Sequence, residues 1–125
     1  MTDTYITILR SKIHRATVTA VAADYEGSCL IDERLLDAAN ICEYEQIHIY
    51  NVSNGKRFIT YAMKSKIRGL IQLNGAAAHK GSVGNTIIIC TYHLCDSSQP
   101  IPHPIKVFVV DNLGAGDRNS VFRIG

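Results

Sequence analysis

The 125-residue chain has no run of like charge, no C-x-x-C pair and no apolar stretch long enough to cross a bilayer. Thirteen basic against eleven acidic residues leave a formal charge of +2. The concentrated basic patch with which nucleic-acid binders neutralise phosphates is missing, so no nucleic-acid partner is expected. Four cysteines are too few for a disulfide scaffold at this length. Cys29, Cys42, Cys90 and Cys95 read as reduced, mostly buried thiols. The spacing of Cys90, His93 and Cys95 could assemble a zinc site, but Thr86 to Tyr92 looks like a buried strand, where cysteine behaves as a small hydrophobe. No metal is expected. The first five residues carry neither a basic start nor an apolar run. With no membrane span, the expectation is a soluble, cytoplasmic protein. No repeat or linker interrupts the chain, and 46% apolar residues suffice for one core, so residues 1–125 read as a single domain.

What is present is mostly β-forming. Tyr5 to Thr19 alternates apolar and polar residues with β-branched enrichment, predicting one or two strands. Asp32 can cap a short helix through Ala39, with Asn40 suited to the exit. Gln46–Val52 and Arg57–Met63 flank Ser53-Asn54-Gly55-Lys56, and Asn-Gly between alternating β-formers is a strong hairpin signal. Ile67–Leu73, Thr86–Leu94 and Val107–Val110 read as further strands. Asn74–His79 reads as a turn into small residues, and residues 111–125 as a flexible tail. Many short strands with little helix predict a small β-barrel.

The tetrad Tyr25-Glu26-Gly27-Ser28 carries the distinctive chemistry. A serine hydroxyl can attack the carbonyl before it; an N-to-O acyl shift then gives an ester. β-Elimination cuts the chain and leaves a dehydroalanine that hydrolyses to a pyruvoyl group. Glycine at the attacked position keeps the carbonyl unhindered and the backbone permissive. A Gly-Ser pair on its own is more often a turn.

Together with Ser-Lys-Ile-His-Arg at 11–15, three segments resemble the aspartate 1-decarboxylase family: the tetrad, Asn54-Gly55-Lys56-Arg57-Phe58 running on to Thr60-Tyr61, and Asn74-Gly75-Ala76-Ala77-Ala78-His79 followed by Ser82-Val83-Gly84. The resemblance spans about residues 5–95 and implies a mainly β fold, a double-psi β-barrel with short helices. It also implies a homotetramer with active sites between subunits. By the same resemblance, cleavage at Gly27-Ser28 yields fragments 1–27 and 28–125, with Ser28 becoming a covalent pyruvoyl cofactor. L-Aspartate would condense with that ketone as a Schiff base, lose CO₂ and leave as β-alanine for pantothenate synthesis. The pyruvoyl group is the electron sink, so neither pyridoxal phosphate nor a metal is required.

The resemblance also implies residue roles. Tyr61 is the proton donor to the product carbon; alone it reads as a strand aromatic. Thr60 supports cleavage by hydrogen-bonding the Gly27 carbonyl, although on a regular strand it faces away from Tyr61. Arg57 can hold a carboxylate bidentately; alone it is a solvated turn residue. Lys12 and His14 alternate on one side of the first strand and bind substrate; alone they are surface charges. Tyr25 positions the scissile segment or the substrate. Asn74, Gly75, Ala76 and Ala77 offer backbone amides that small side chains leave open.

The chain departs from the family pattern at Asn85, where an acid is expected, in a link between Tyr61 and Asn74 one residue short, and beyond Asp111. Lys80-Gly81 alters the edge of the pocket. Two rival readings stay open at this level. One is a non-catalytic barrel that binds an anionic metabolite through Lys12, His14 and Arg57. The other is a self-processing decarboxylase for glutamate, one methylene longer, which physics separates poorly from aspartate. A maturation factor that assists cleavage is also possible on the sequence.

Overall fold

A computed structural model describes residues 4–110 and 118–125. Among the described residues, nine strands form one sheet: β1 (Tyr5–Thr17), β2 (Ala20–Ala22), β3 (Ser28–Asp32), β4 (Gln46–Asn51), β5 (Arg57–Ser65), β6 (Ile71–Asn74), β7 (Thr86–Asp96), β8 (Ile105–Val109) and β9 (Phe122–Ile124). Their spatial order is β2-β6-β3-β5-β4-β7-β1-β8-β9. Neighbours are mixed in sense: β3 runs parallel to β5 and antiparallel to β6, and β1 runs antiparallel to β7 and parallel to β8. The expected mainly β fold is present. Helix α1 (Glu33–Ala39) and a 3-10 helix (Gly75–Lys80) are the two helices among the described residues, and no helix is long and apolar enough to cross a membrane.

Alternation builds the core. Ile47 and Ile49 on β4, Ile87 and Ile89 on β7, and Ile13 on β1 are fully buried, with Leu35 and Leu36 of α1 closing over them. Each such side chain contributes about 1.5–3 kcal/mol on burial. The α1 boundaries follow the sequence reading. Asp32 accepts a hydrogen bond from Arg34 N–H at 2.9 Å, and Asn40 ends the helix in the left-handed region at φ 55°. The β4–β5 hairpin also forms as expected, with Gly55 at φ 77° supplying the turn.

Two expectations are corrected. Residues 67–70 do not extend β6. Gly69, at φ 74°, makes a turn there, closed by Leu70 N–H donating to the Ile67 carbonyl at 3.2 Å. The Asp32 carboxylate accepts the Gly69 N–H at 2.8 Å, which takes that donor away from any strand ladder. The second correction concerns the tail. Residues 111–117 lie outside the described residues, but Phe122–Ile124 pairs with β8. Buried Asn119 donates to the Thr17 and Gly69 carbonyls at 2.8 and 2.9 Å and accepts from Thr17 N–H at 2.8 Å. A side chain that satisfies three backbone groups anchors its segment, so 118–125 is not a mobile tail. Of the four free thiols, Cys29 and Cys90 are buried, Cys95 is partly exposed and Cys42 is exposed.

Candidate active site

Ser28 opens β3 at the point where the exposed 25–27 segment enters the sheet. It is 4% exposed and stands opposite Asn74 in the antiparallel β3–β6 ladder. Because opposed residues share a sheet face, the two side chains meet. Asn74 Nδ2 donates to Ser28 Oγ at 3.2 Å, and the serine hydroxyl donates to the Glu26 carbonyl at 3.3 Å. Asn74 Oδ1 accepts in turn from Gln72 Nε2 at 2.8 Å. The nucleophile is thus held in one orientation by a three-residue hydrogen-bond chain.

The scissile segment is seated by Gly75. This residue has φ 60°, and a Cβ placed on it would lie 2.7 Å from both Gly27 Cα and Gly27 N and 2.8 Å from the Tyr25 carbonyl oxygen. The space beside Gly75 is therefore filled by the 25–27 backbone. Gly27 itself has open space around its own Cβ position, so at this step the close approach is imposed by Gly75. Gly27 also lines a cavity of about 190 Å³ together with Phe58, Ile59, Thr60, Ala76, Ala77 and Lys80. Lys80, named above as a departure at the pocket edge, is thus among the residues that line this cavity. Cys29, next to the serine, is fully buried, which raises its thiol pKa to about 12 and leaves it inert as a nucleophile.

Lys12, His14, Arg57 and Tyr61 lie on one face of the sheet, and the parallel pairing of Cys29 with Ala62 puts Ser28 on the same face as Tyr61. The register pairs Tyr61 with Gln46, Arg57 with Tyr50, His48 with Cys90 and Cys90 with Lys12. Lys12 and His14 continue beside Lys106 and Phe108. Paired residues project to one face, so these four lie on the outer face of the β5-β4-β7-β1-β8 stretch. Ile47 and Thr60 point the other way. The β4–β5 register runs without a bulge from Tyr61 to Arg57, so no bend brings Thr60 and Tyr61 to one side. Two strands, β4 and β7, stand between β5 and β1.

On this outer face the Arg57 guanidinium sits 4.5 Å above the Tyr50 ring. Tyr61 lies beside Tyr44, with ring centroids 6.3 Å apart. Tyr50 and Tyr92 share a hydroxyl hydrogen bond of 2.6 Å, and His48 meets Tyr92 edge-to-face at 4.8 Å. Burial and the Tyr50 hydrogen bond raise the Tyr92 pKa, keeping its phenol protonated. His14 packs edge-on to Phe108 at 5.6 Å, and its pKa is lowered by burial and then by the charges of Lys12 and Arg15. Its imidazole is held toward the neutral form.

Gly27, Ser28, Thr60, Asn74, Gly75, Ala76 and Ala77 thus converge within one chain; Tyr61 stands on the neighbouring strand on the same sheet face as Ser28, while Arg57 lies further along β5 and Lys12 and His14 lie on β1, beyond β4 and β7. Tyr25 is 67% exposed, and its carbonyl oxygen faces Gly75. Sequence reading missed Gln72, Phe58 and the His48-Tyr50-Tyr92 cluster. Alternation along Gln46-Ile47-His48-Ile49-Tyr50 was the available signal for two members of that cluster. Asn85, the departure from an expected acid, accepts from Asn51 Nδ2 at 3.0 Å and Ser82 N–H at 2.9 Å. Its amide oxygen receives the donors that a carboxylate there would receive.

A sequence model of the family described as Aspartate decarboxylase matches residues 4–115. A protein named Aspartate 1-decarboxylase from Nitrosococcus oceani is 55% identical over 96 residues, 76% of each chain. One of the same name from Polynucleobacter asymbioticus is 50% identical over 118 residues, 94% of each chain. A third, from Ralstonia pickettii, is 52% identical over 112 residues, covering 89% of this chain and 91% of its own.

Proposed function

The chain belongs to the aspartate decarboxylase family, and from that premise we propose that it cleaves itself between Gly27 and Ser28 and then decarboxylates L-aspartate to β-alanine. The observation that carries this reading is the buried Ser28 hydroxyl, oriented by Asn74 beside a Gly27 segment that Gly75 packs into place.

Cleavage needs no outside reagent but water. Ser28 Oγ bonds to the Gly27 carbonyl carbon, the Gly27–Ser28 C–N bond breaks, and the freed nitrogen takes up the hydroxyl proton. Thr60, which shares the cavity with Gly27, is the side chain suited to steady the oxyanion of the tetrahedral adduct. Loss of the Ser28 α-proton then expels the Gly27 carboxylate. The remaining dehydroalanine takes up water and releases ammonia, leaving a pyruvoyl group at position 28. Small residues border this position, so the group fits where the serine stands.

The pyruvoyl group supplies an electron sink for the pair left behind when CO₂ departs. The chain's own residues supply the rest. Arg57 offers a planar pair of donors for a substrate carboxylate, already oriented by stacking on Tyr50. Lys12 adds a positive charge on the same face. Tyr61 holds a phenolic proton for the product carbon.

Lys12 and His14 on β1 are separated from Ser28 on β3 by β5, β4 and β7, which favours completion of the site by a neighbouring copy, as in the homotetramer that the family resemblance implies. Partly exposed His48, Tyr50 and Tyr92, with Ile59 59% exposed, give that face the apolar character an interface needs. The cytoplasm is the compartment that suits four free thiols, and β-alanine produced there serves pantothenate synthesis.

The test is an intact mass spectrum under denaturing conditions, paired with an assay of β-alanine from aspartate and of the corresponding product from glutamate. Fragments 1–27 and 28–125, the latter blocked to amine reagents, with turnover of aspartate, are expected. A single chain after long warm incubation, with or without cell extract to supply a maturation factor, sinks the reading. Equal turnover of glutamate sinks the substrate assignment alone.

A further inference from the structure

Gln72 and Asn74 stand two residues apart on β6, so their side chains share a face. Asn74 faces Ser28 across the ladder and Gln72 faces Leu30. The resulting chain runs from Gln72 Nε2 to Asn74 Oδ1 at 2.8 Å, and from Asn74 Nδ2 to Ser28 Oγ at 3.2 Å. Asn74 is 4% exposed, whereas Gln72 is half-buried, and its side chain makes no other direct hydrogen bond among the described residues.

An asparagine amide has two orientations that differ by a half-turn. With Oδ1 toward Gln72, Asn74 donates to Ser28, and the serine hydrogen is left to point at the Glu26 carbonyl, as observed. With the amide turned over, Oδ1 faces Ser28 and takes the serine hydrogen for itself. The first orientation steadies negative charge as it develops on Oγ; the second opposes it. The Ser28 hydroxyl is engaged by the Glu26 carbonyl on one side and Gln72 presents Nε2 on the other, so both neighbours of Asn74 favour the first orientation.

We infer that Gln72 is a positioning residue for self-cleavage, which by donating to Asn74 Oδ1 keeps the asparagine amide turned to donate to Ser28. This rests on the cleavage reading above. The step served is the acyl shift, in which the Ser28 Oγ–Gly27 C bond forms, the Gly27 C–Ser28 N bond breaks, and the hydroxyl proton ends on the nitrogen. A donor is required at 72, and size or polarity alone does not substitute for it.

Two substitutions separate these properties. Gln72→Glu keeps shape but leaves only acceptors, so it draws Asn74 Nδ2 toward itself and turns Oδ1 to the serine. Gln72→Lys leaves only a donor and preserves the observed orientation. Both changes are at a partly exposed position and leave the apolar core intact. The measurement is the rate of appearance of fragment 28–125 from freshly made chain, by intact mass, with thermal midpoints alongside. Gln72→Glu is expected to cleave at least tenfold more slowly than wild type, about 1.4 kcal/mol in barrier. Gln72→Lys is expected within threefold of wild type, and both midpoints should be near it.

Wild-type cleavage in the Glu variant overturns the inference. Equal slowing in both variants also overturns it, because it makes position 72 sensitive to any change. A wild-type chain that stays whole removes the underlying cleavage reading and this inference with it, an outcome distinct from the other two.

Discussion

Gly75→Ala tests the seating of the scissile segment, and Gly55→Ala is its internal control. Both glycines lie in the left-handed region, at φ 60° and 77°, so alanine at either bears the same backbone cost, about 1 kcal/mol. They differ in what the new methyl meets. At Gly55 nothing lies within 4 Å; at Gly75 three backbone atoms lie at 2.7–2.8 Å. Carbon contacts settle near 3.5–4.0 Å, so something beside Gly75 must move by nearly an ångström. The 25–27 segment is exposed, whereas β6 is held between β2 and β3, so the segment should yield. A displacement of that size at a reacting bond costs on the order of 100-fold in rate.

The expected outcome is asymmetric. Gly55→Ala lowers the thermal midpoint by about 4 °C and cleaves at the wild-type rate. Gly75→Ala melts within a few degrees of it but cleaves at least 100-fold more slowly, as read by intact mass over days. If β6 yields instead, Gly75→Ala loses a further 1–3 kcal/mol or so, as in overpacked cores, and the midpoint reports it. Matching cleavage and melting in the two variants would refute the packing argument.

Tyr61→Phe should leave cleavage intact, since its ring faces away from Thr60, while lowering kcat for β-alanine formation about 100-fold or more through loss of a general acid; simultaneous loss of cleavage would show that the division of roles between Thr60 and Tyr61 is wrong. Arg57→Lys should raise KM for aspartate more than it lowers kcat, because lysine replaces a bidentate fork with a point charge; steady-state kinetics decide. Asp32→Asn should flatten the acid limb of stability. Burial tends to raise the Asp32 pKa, but hydrogen bonds from Arg34 and the Gly69 N–H, with the Arg34 charge, bring it below the ordinary carboxylate value. A depressed folded pKa stabilises above the unfolded value of about 3.9 and is lost as pH falls through the folded one. Denaturant melts of wild type should therefore weaken below about pH 4 by more than those of Asp32→Asn, and parallel curves would rule Asp32 out.

The features legible in the sequence were those with local causes. The Asn54-Gly55 turn needs positive φ, and Asp32 and Asn40 mark the ends of α1 by their own side-chain and backbone preferences. The errors had non-local causes. Ile67–Leu70 is apolar enough for a strand, but a carboxylate 37 positions earlier captures the Gly69 N–H. Polar, glycine-containing residues near the C-terminus look mobile until Asn119 is seen bonded to Thr17, 102 positions away. No window of sequence contains either partner pair.

The same distinction divides the site. Alternation placed Lys12 with His14, and Thr60 opposite Tyr61, because strand period is a local property. That Lys12 and His14 share a face with Arg57 and Tyr61 depends on the order β5-β4-β7-β1, which no local pattern encodes. Gln72 was invisible for a further reason: a glutamine before Leu73-Asn74 has no chemistry of its own at this site. Its significance comes from standing two residues from an asparagine that the β3 register sets against Ser28. Residues that touch the reacting bond reveal themselves by type, whereas residues that orient them are found only once the ladder is known. The Glu-against-Lys comparison at position 72 therefore tests whether the hydrogen-bond direction given by this ladder governs the chemistry at Ser28.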